Sequence, residues 1–174
     1  NAQKRRRMIQ KLMTYWFRRQ VAKAAPAVLI SHYSDTESKE IIQDYWKRYL
    51  QLKPEVPIMP TIGSSIAVNL AAMSTAFYQE LTARGQNAET TTQMFYDIAL
   101  QIYKKMGRFT WLLTRIGNRT DYNRLLKATN LFRSFPFNSP AYQWEDVQTK
   151  ANLVGFNCTK CPVAEYFETK GLSK

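Results

Sequence analysis

With 174 residues, 45% of them hydrophobic and 13% aromatic, the chain is long enough for one domain with a sizeable core and too rich in aromatics to be disordered throughout. No apolar run reaches the roughly 18 residues that a membrane span needs, and the basic start leads into an amphipathic stretch rather than the apolar core of a secretory signal. The net charge of +12 is uneven: Lys4, Arg5, Arg6, Arg7, Lys11, Arg18, Arg19 and Lys23 precede residue 25 with no acid among them, leaving +4 on the rest.

Residues 3–24 read as an amphipathic helix, with Met8, Ile9, Leu12, Met13, Trp16 and Phe17 in one apolar stripe and basic residues around it. Three readings of it compete. It packs on its own protein or a neighbouring subunit, it lies on an anionic membrane surface, or it binds nucleic acid. The first is favoured, and the last is disfavoured because no recognition motif accompanies the charge. Ala25-Pro26 is expected to end the helix and Ala27–Ile30 to lead out as an extended segment. His32, the chain's one histidine, follows; a His beside apolar residues is more often packed or solvated than catalytic, yet it is the only imidazole base available to a thiol or hydroxyl nucleophile.

Ser34 or Asp35 caps a second helix with the apolar face Ile41, Tyr45, Trp46, Tyr49 and Leu52. Pro54, Pro57 and Pro60 then break the chain, dividing a basic helical arm (1–53) and a linker (54–63) from a main domain (64–174). Ser64 or Ser65 is expected to cap a third helix with the seam Ile66, Leu70, Met73, Phe77 and Leu81, ended by Gly85. Asn87 caps a fourth, whose seam Met94, Phe95, Ile98, Ile102, Met106 and Phe109 runs on toward Trp111–Ile116, with Gly107 as a site for a kink. The two form an antiparallel hairpin. Gly117-Asn118 is a stop, and Thr120 or Asp121 caps a fifth helix whose Leu125, Leu126 and Leu131 are expected in the core.

The composition then changes. Phe132, Phe135, Pro136, Phe137 and Pro140 make an aromatic, proline-broken loop, and residues 142–157 read as strand, with a hairpin turn expected at Lys150–Asn152. Helices first and strands after them indicate an α+β fold, a mostly helical body followed by a small β region. The chain closes on Gly155-Phe156-Asn157-Cys158-Thr159-Lys160-Cys161-Pro162-Val163-Ala164-Glu165-Tyr166-Phe167, read as strand end, tight turn and short helix. Pro162 suits the first helical position and Gly171 the position past the end. Cys161 thus falls at or next to the N-cap, where the helix dipole and free N–H groups favour thiolate, with Lys160 as a nearby cation.

Four chemistries use a Cys-x-x-Cys pair. Structural zinc needs four ligands, and two Cys with one distant His are too few unless another chain contributes. A redox pair usually puts its first cysteine at the helix start and sits in a βαβ unit, which is missing. An iron–sulfur cluster needs more thiolates. A single nucleophilic cysteine remains, against the plain alternative of two small buried hydrophobes. No metal and no cofactor is expected, and two cysteines spaced in this way point to a reducing, cytoplasmic setting.

The segment Phe156–Phe167 resembles the core motif of the L-2-amino-thiazoline-4-carboxylic acid hydrolase family, F-[ND]-x-T-[RK]-C-P-x-A-[EK]-[YF]-F, with Gly171-Leu172 where a short Gly-Leu element follows. The likeness extends over roughly residues 64–174. It implies a hydrolase acting on a non-peptide C–N bond of a cyclic amidine or amide-like small molecule. Cys161 takes the Cys-Pro position as nucleophile or substrate orienter, Glu165 would shuttle protons if burial raises its pKa, Thr159 would position the substrate and Lys160 would bind its carboxylate. Cys158 falls where the family often has an apolar residue, and with His32 it is an accessory candidate. Family members continue with a second cysteine, an Asp and a Cys-Asp-Phe-like motif that this sequence does not contain, so the resemblance implies a second chain or a homo-oligomer supplying that part. The alternative is a non-catalytic subunit of a larger assembly, its basic helix and cysteine turn serving protein contacts or a shared site.

Overall fold

A computed structural model of the chain describes residues 2–117, 120–147 and 153–172. Its elements run α1 (Ala2–Leu29), α2 (Asp35–Leu52), a 3-10 turn at Lys53–Glu55, α3 (Ile62–Ala83), α4 (Ala88–Arg115), α5 (Asp121–Ser134), β1 (Gln143–Asp146), β2 (Phe156–Lys160) and α6 (Pro162–Thr169). Five α-helices precede and one follows the antiparallel strand pair, the one sheet among the described residues, so the fold is α+β and mostly helical. Among the described residues no helix is long and apolar enough to cross a membrane.

α3 is the axis of the fold because it is apolar or small on nearly every side. Val68, Ala72, Ala76 and Leu81 are fully covered, and so are the hydroxyl residues Ser64 and Thr75. The expected seam holds, with Leu70 half-buried. Thr14 acts on Tyr49 and the Arg18 guanidinium lies over Trp46, which makes α1 antiparallel to α2. Tyr49 donates to Asn69 and Arg48 to Glu80, which makes α2 antiparallel to α3, so α1 runs parallel to α3. α2 and α4 run antiparallel to it: Tyr45 stacks edge-on against Phe77, and Asp44 pairs with Arg84. The α1 start, the α3 start and the α4 end therefore share one end of the bundle.

The segment expected as a separate arm shares this core. Phe17, Leu29, Ile41, Tyr45 and Tyr49 belong to the same buried cluster as Met73, Phe77, Met94 and Ile98. The proline stretch is seated on it through Val56 and Met59. α1 does not stop at Pro26 and residues 27–29 are not extended; the helix runs on to Leu29. Pro26 removes only the bond to the carbonyl of Ala22, and both residues are exposed, so water can serve that carbonyl. The expected apolar stripe of α1 splits, Ile9, Met13 and Phe17 turning inward while Met8, Leu12 and Trp16 stay exposed.

Caps fix most boundaries. Ser34 and Glu37 form a capping box on α2, and the Asn87 and Thr120 side chains accept from the N–H groups of Thr90 and Asn123. α3 begins earlier than Ser64 predicts: Thr61 is its cap, and Ser64 supplies the reciprocal side-chain bond, at 3.1 and 3.2 Å. α4 continues through Gly107 to Arg115, and the side chains of Met106 and Phe109 lie outside the described set. α5 departs from expectation. Leu125, Leu126 and Leu131 are exposed, and only Thr129 of this helix is buried, because α5 packs mainly on α4 and reaches the strands through Arg133. The turn expected at Lys150–Asn152 lies outside the described residues.

Candidate functional site

The cysteine segment is placed by three things: the start of α3, the loop after α5, and the pairing of β1 with β2. Gly63, in the first turn of α3, lets the backbone of Pro136 come so close that a Cβ would sit 2.0 Å from the Pro136 carbonyl oxygen. One turn on, Ala67 is buried with Ala141 and Tyr142, and Cys161 and Val163 pack on this small cluster. Small residues at positions 63 and 67 thus open the groove in which the loop and the front of α6 rest. Tyr166 then anchors α6 in the main core, and Gly171 closes the helix with φ +67°, the N–H of Leu172 reaching the Phe167 carbonyl.

β2 meets α6 without the expected tight turn. Cys158 lies inside the strand, Cys161 is the N-cap and Pro162 the first helical residue. The strand register pairs Trp144 with Cys158 and Asp146 with Phe156, then slips by one so that Thr159 takes no partner on β1. Residues two apart share a face, so Trp144, Phe156 and Cys158 line one side. The Trp144 ring contacts Phe156 at 5.3 Å and stacks over Tyr142 at 6.1 Å, and its indole N–H donates to the Phe137 carbonyl at 2.8 Å. The Arg133 guanidinium lies over both Trp144 and Phe156 and pairs with Asp146 at 2.5 Å.

Both thiols are free, Cys158 exposed and Cys161 half-buried. The Cys158 thiol donates to the Lys160 carbonyl at 3.1 Å. Local desolvation and the neighbouring Cys161 hold its pKa above that of an ordinary cysteine. The Cys161 side chain makes no capping bond, so the Val163 and Ala164 N–H groups at the start of α6 are not engaged by it. Tyr142 is buried, and its hydroxyl has no hydrogen-bond partner. Burial first, then the adjacent Cys161 and Cys158, push that hydroxyl well above the usual tyrosine value. Two thiols and an unpartnered phenol therefore converge on an aromatic wall.

The other expected site residues are spread out. Thr159 and Lys160 are exposed on β2, and Glu165 is exposed one turn into α6, so the burial on which its proton-shuttle role depends is absent. His32 is in the exposed turn after α1. That turn lies at the Arg84 end of α3, where Arg84 acts on Glu37. At 1.5 Å per residue this is roughly 25 Å from the Ala67 end that carries Cys161, so the fold does not bring a Cys-His dyad together. Among the described residues no three or more His, Cys, Asp or Glu gather, so the donor set stays short of the four a structural zinc takes.

The sequence reading missed Tyr142 and Arg133 as members of the site. The only signal for the former was the two-residue spacing of Tyr142 and Trp144. The core also contains an apolar cavity of about 70 Å³ between Phe17, Tyr45, Met73, Phe77 and Ile98, remote from the cysteines and without convergent polar groups. No protein-family model, no curated protein and no solved structure matches the chain.

Proposed function

We propose that the chain acts as a hydrolase that opens a small cyclic amidine, with Cys161 as the nucleophile. The observation that carries this reading is the half-buried Cys161 thiol at the start of α6, which makes no capping bond and packs on the cluster that contains Tyr142, whose hydroxyl is unpartnered. The Cys161 thiolate adds to the amidine carbon, and the Val163 and Ala164 N–H groups meet the charge that develops on the adjacent ring atom. The ring bond from that carbon to the leaving atom then breaks, and that atom takes a proton from water. A water adding to the same carbon expels the Cys161 thiolate, so that one water is added net across the opened bond. Tyr142 donates a hydrogen bond to the substrate, and the rings of Trp144 and Phe156 form the apolar side of the site. Lys160, exposed beside it, attracts a substrate carboxylate. The likeness of Phe156–Phe167 to the L-2-amino-thiazoline-4-carboxylic acid hydrolase motif supports the same chemistry.

The test is turnover of 2-amino-thiazoline-4-carboxylate together with mapped alkylation by iodoacetamide near neutral pH. Cys161 should alkylate faster than Cys158 and take the activity with it; Cys161→Ala should be inactive and Cys158→Ala active. A chain in which Cys161 is unreactive and turnover is nil would defeat this reading. A second reading, a subunit whose site is completed by another polypeptide, is favoured by one observation: Glu165 is exposed and His32 lies at the far end of α3, leaving Cys161 without a buried base among the described candidates. Intact mass under native conditions separates the two, since a shared site requires a co-purifying chain or a second copy.

A further inference from the structure

The excess charge of the chain is confined to two helical stretches that pack together. Residues 2–25 and 98–116 contain twelve Lys and Arg and no Asp or Glu, which equals the whole net charge of +12; the remainder is balanced. These stretches are the greater part of α1 and the second half of α4, and the two helices pack against each other in the bundle. They run antiparallel, because α1 is parallel to α3 and α4 is antiparallel to it. Phe17, Val21, Ile98 and Ile102 line one cavity, so with the two helices antiparallel the α1 start lies toward the α4 end.

The same end displays large apolar side chains that are well exposed, the Arg115 guanidinium lying over the Trp111 ring. Leu12 and Tyr15 on α1 are 60% and 66% exposed, and Trp111, Leu112 and Ile116 on α4 are each more than half exposed. Lys11, Arg19, Lys104 and Arg108 are exposed among them. A soluble surface rarely concentrates aliphatics, tryptophans and uncompensated cations in one place. That combination matches an interfacial membrane helix, in which apolar rings and branched chains enter the headgroup boundary and Lys and Arg reach anionic lipid.

We propose that the α1 start and the α4 end form a docking surface for anionic lipid, lying on the bilayer without crossing it. Lipid is favoured over nucleic acid because Leu12, Leu112 and Ile116 have no flat face on which a base could stack. The proposal is independent of the hydrolase reading, so Cys161→Ala should leave binding unchanged.

The test is flotation of the full chain with vesicles of phosphatidylcholine, alone or mixed with phosphatidylglycerol, at physiological salt, with tryptophan emission as a second readout. The chain should float with the mixed vesicles only, its emission shifting to the blue. Lys104→Gln with Arg108→Gln should weaken binding about 30-fold, at about fivefold for each basic residue near an anionic surface. Leu112→Ser, on an exposed side chain, should reduce the emission shift while helicity by circular dichroism is unchanged. No flotation with mixed vesicles would overturn the proposal. So would tighter binding to a single-stranded oligonucleotide than to vesicles, or a dimer in solution that already hides the tryptophans.

Discussion

Replacing Gly63 by alanine tests how the cysteine segment is held. The new Cβ would meet the Pro136 carbonyl oxygen at 2.0 Å and its carbonyl carbon and Cα at 2.6 Å, where ordinary contact starts at 3.4 Å. The obstacle is backbone, not a side chain that can swing away, so either α3 or the loop must retreat by more than an ångström. Glycine to alanine inside a helix would otherwise gain about 1 kcal/mol, while overpacking of this kind costs typically about 1–3 kcal/mol or more. With rigid backbone as the obstacle the cost sits at the upper end, about 3 kcal/mol, so Gly63→Ala should lower the urea midpoint by the equivalent of about 2 kcal/mol net, with an unchanged slope. Gly107→Ala is the internal control. That glycine is exposed in α4 with nothing within 4 Å, so the same substitution should stabilise by up to about 1 kcal/mol. Because the displaced loop carries Phe137, whose carbonyl receives the Trp144 indole N–H, Gly63→Ala should also change the near-ultraviolet dichroism and the alkylation rate of Cys161. A Gly63→Ala protein as stable as its parent, with unaltered Cys161 reactivity, would refute the claim that this contact positions the site.

Glu80 is buried and accepts from Arg48 at 3.1 and 3.2 Å and from Arg84 at 2.7 Å, so Glu80→Gln should cost about 1.5–3 kcal/mol in urea unfolding and loosen α2 from α3. Tyr142→Phe removes a buried hydroxyl that bonds to nothing in the free protein, so stability should be unchanged or slightly higher. Turnover should fall at least tenfold if that hydroxyl serves the substrate, the order expected for one hydrogen bond. Equal turnover in wild type and Tyr142→Phe would remove Tyr142 from the mechanism.

Much of the helical body is legible because its signals are local. Ser34, Asn87 and Thr120 stand before their helices and cap them, and Gly85, Gly117 and Gly171 mark chain reversals at positive φ. The seam of α3 follows the period of a buried helix. What escaped detection depends on partners distant in sequence. Nothing local says which half of the α1 stripe finds a neighbour, nor that α5 would pack mainly on α4 and leave Leu125, Leu126 and Leu131 in water. Thr61 displaced Ser64 as cap because both hydroxyls fit the pattern and only their reciprocal bond decides the order. In the site, Cys161 is marked by Pro162 after it. The wall facing it needs the register of β1 on β2, and the approach of Pro136 to Gly63 joins residues that no short window connects.

Position relates the two surfaces of this protein. Met13 and Thr14 line a cavity with Ile66, and α1 is parallel to α3, so the helix start lies toward that end, which the α4 end also approaches. Cys161 packs on Ala67, which puts the candidate site and the cationic apolar face at one end of the bundle and His32 at the other. The shared end has a chemical consequence. The cations of the α1 start and the α4 end raise the local concentration of anions, so under the hydrolase proposal a carboxylate substrate would approach Cys161 through a favourable field that salt screens within about 8 Å at physiological strength. Anionic lipid docked on α1 and α4 would occupy the same field and compete with such a substrate. Either function can stand without the other; where both hold, vesicles should inhibit turnover through charge rather than contact, and that inhibition should fade as salt rises.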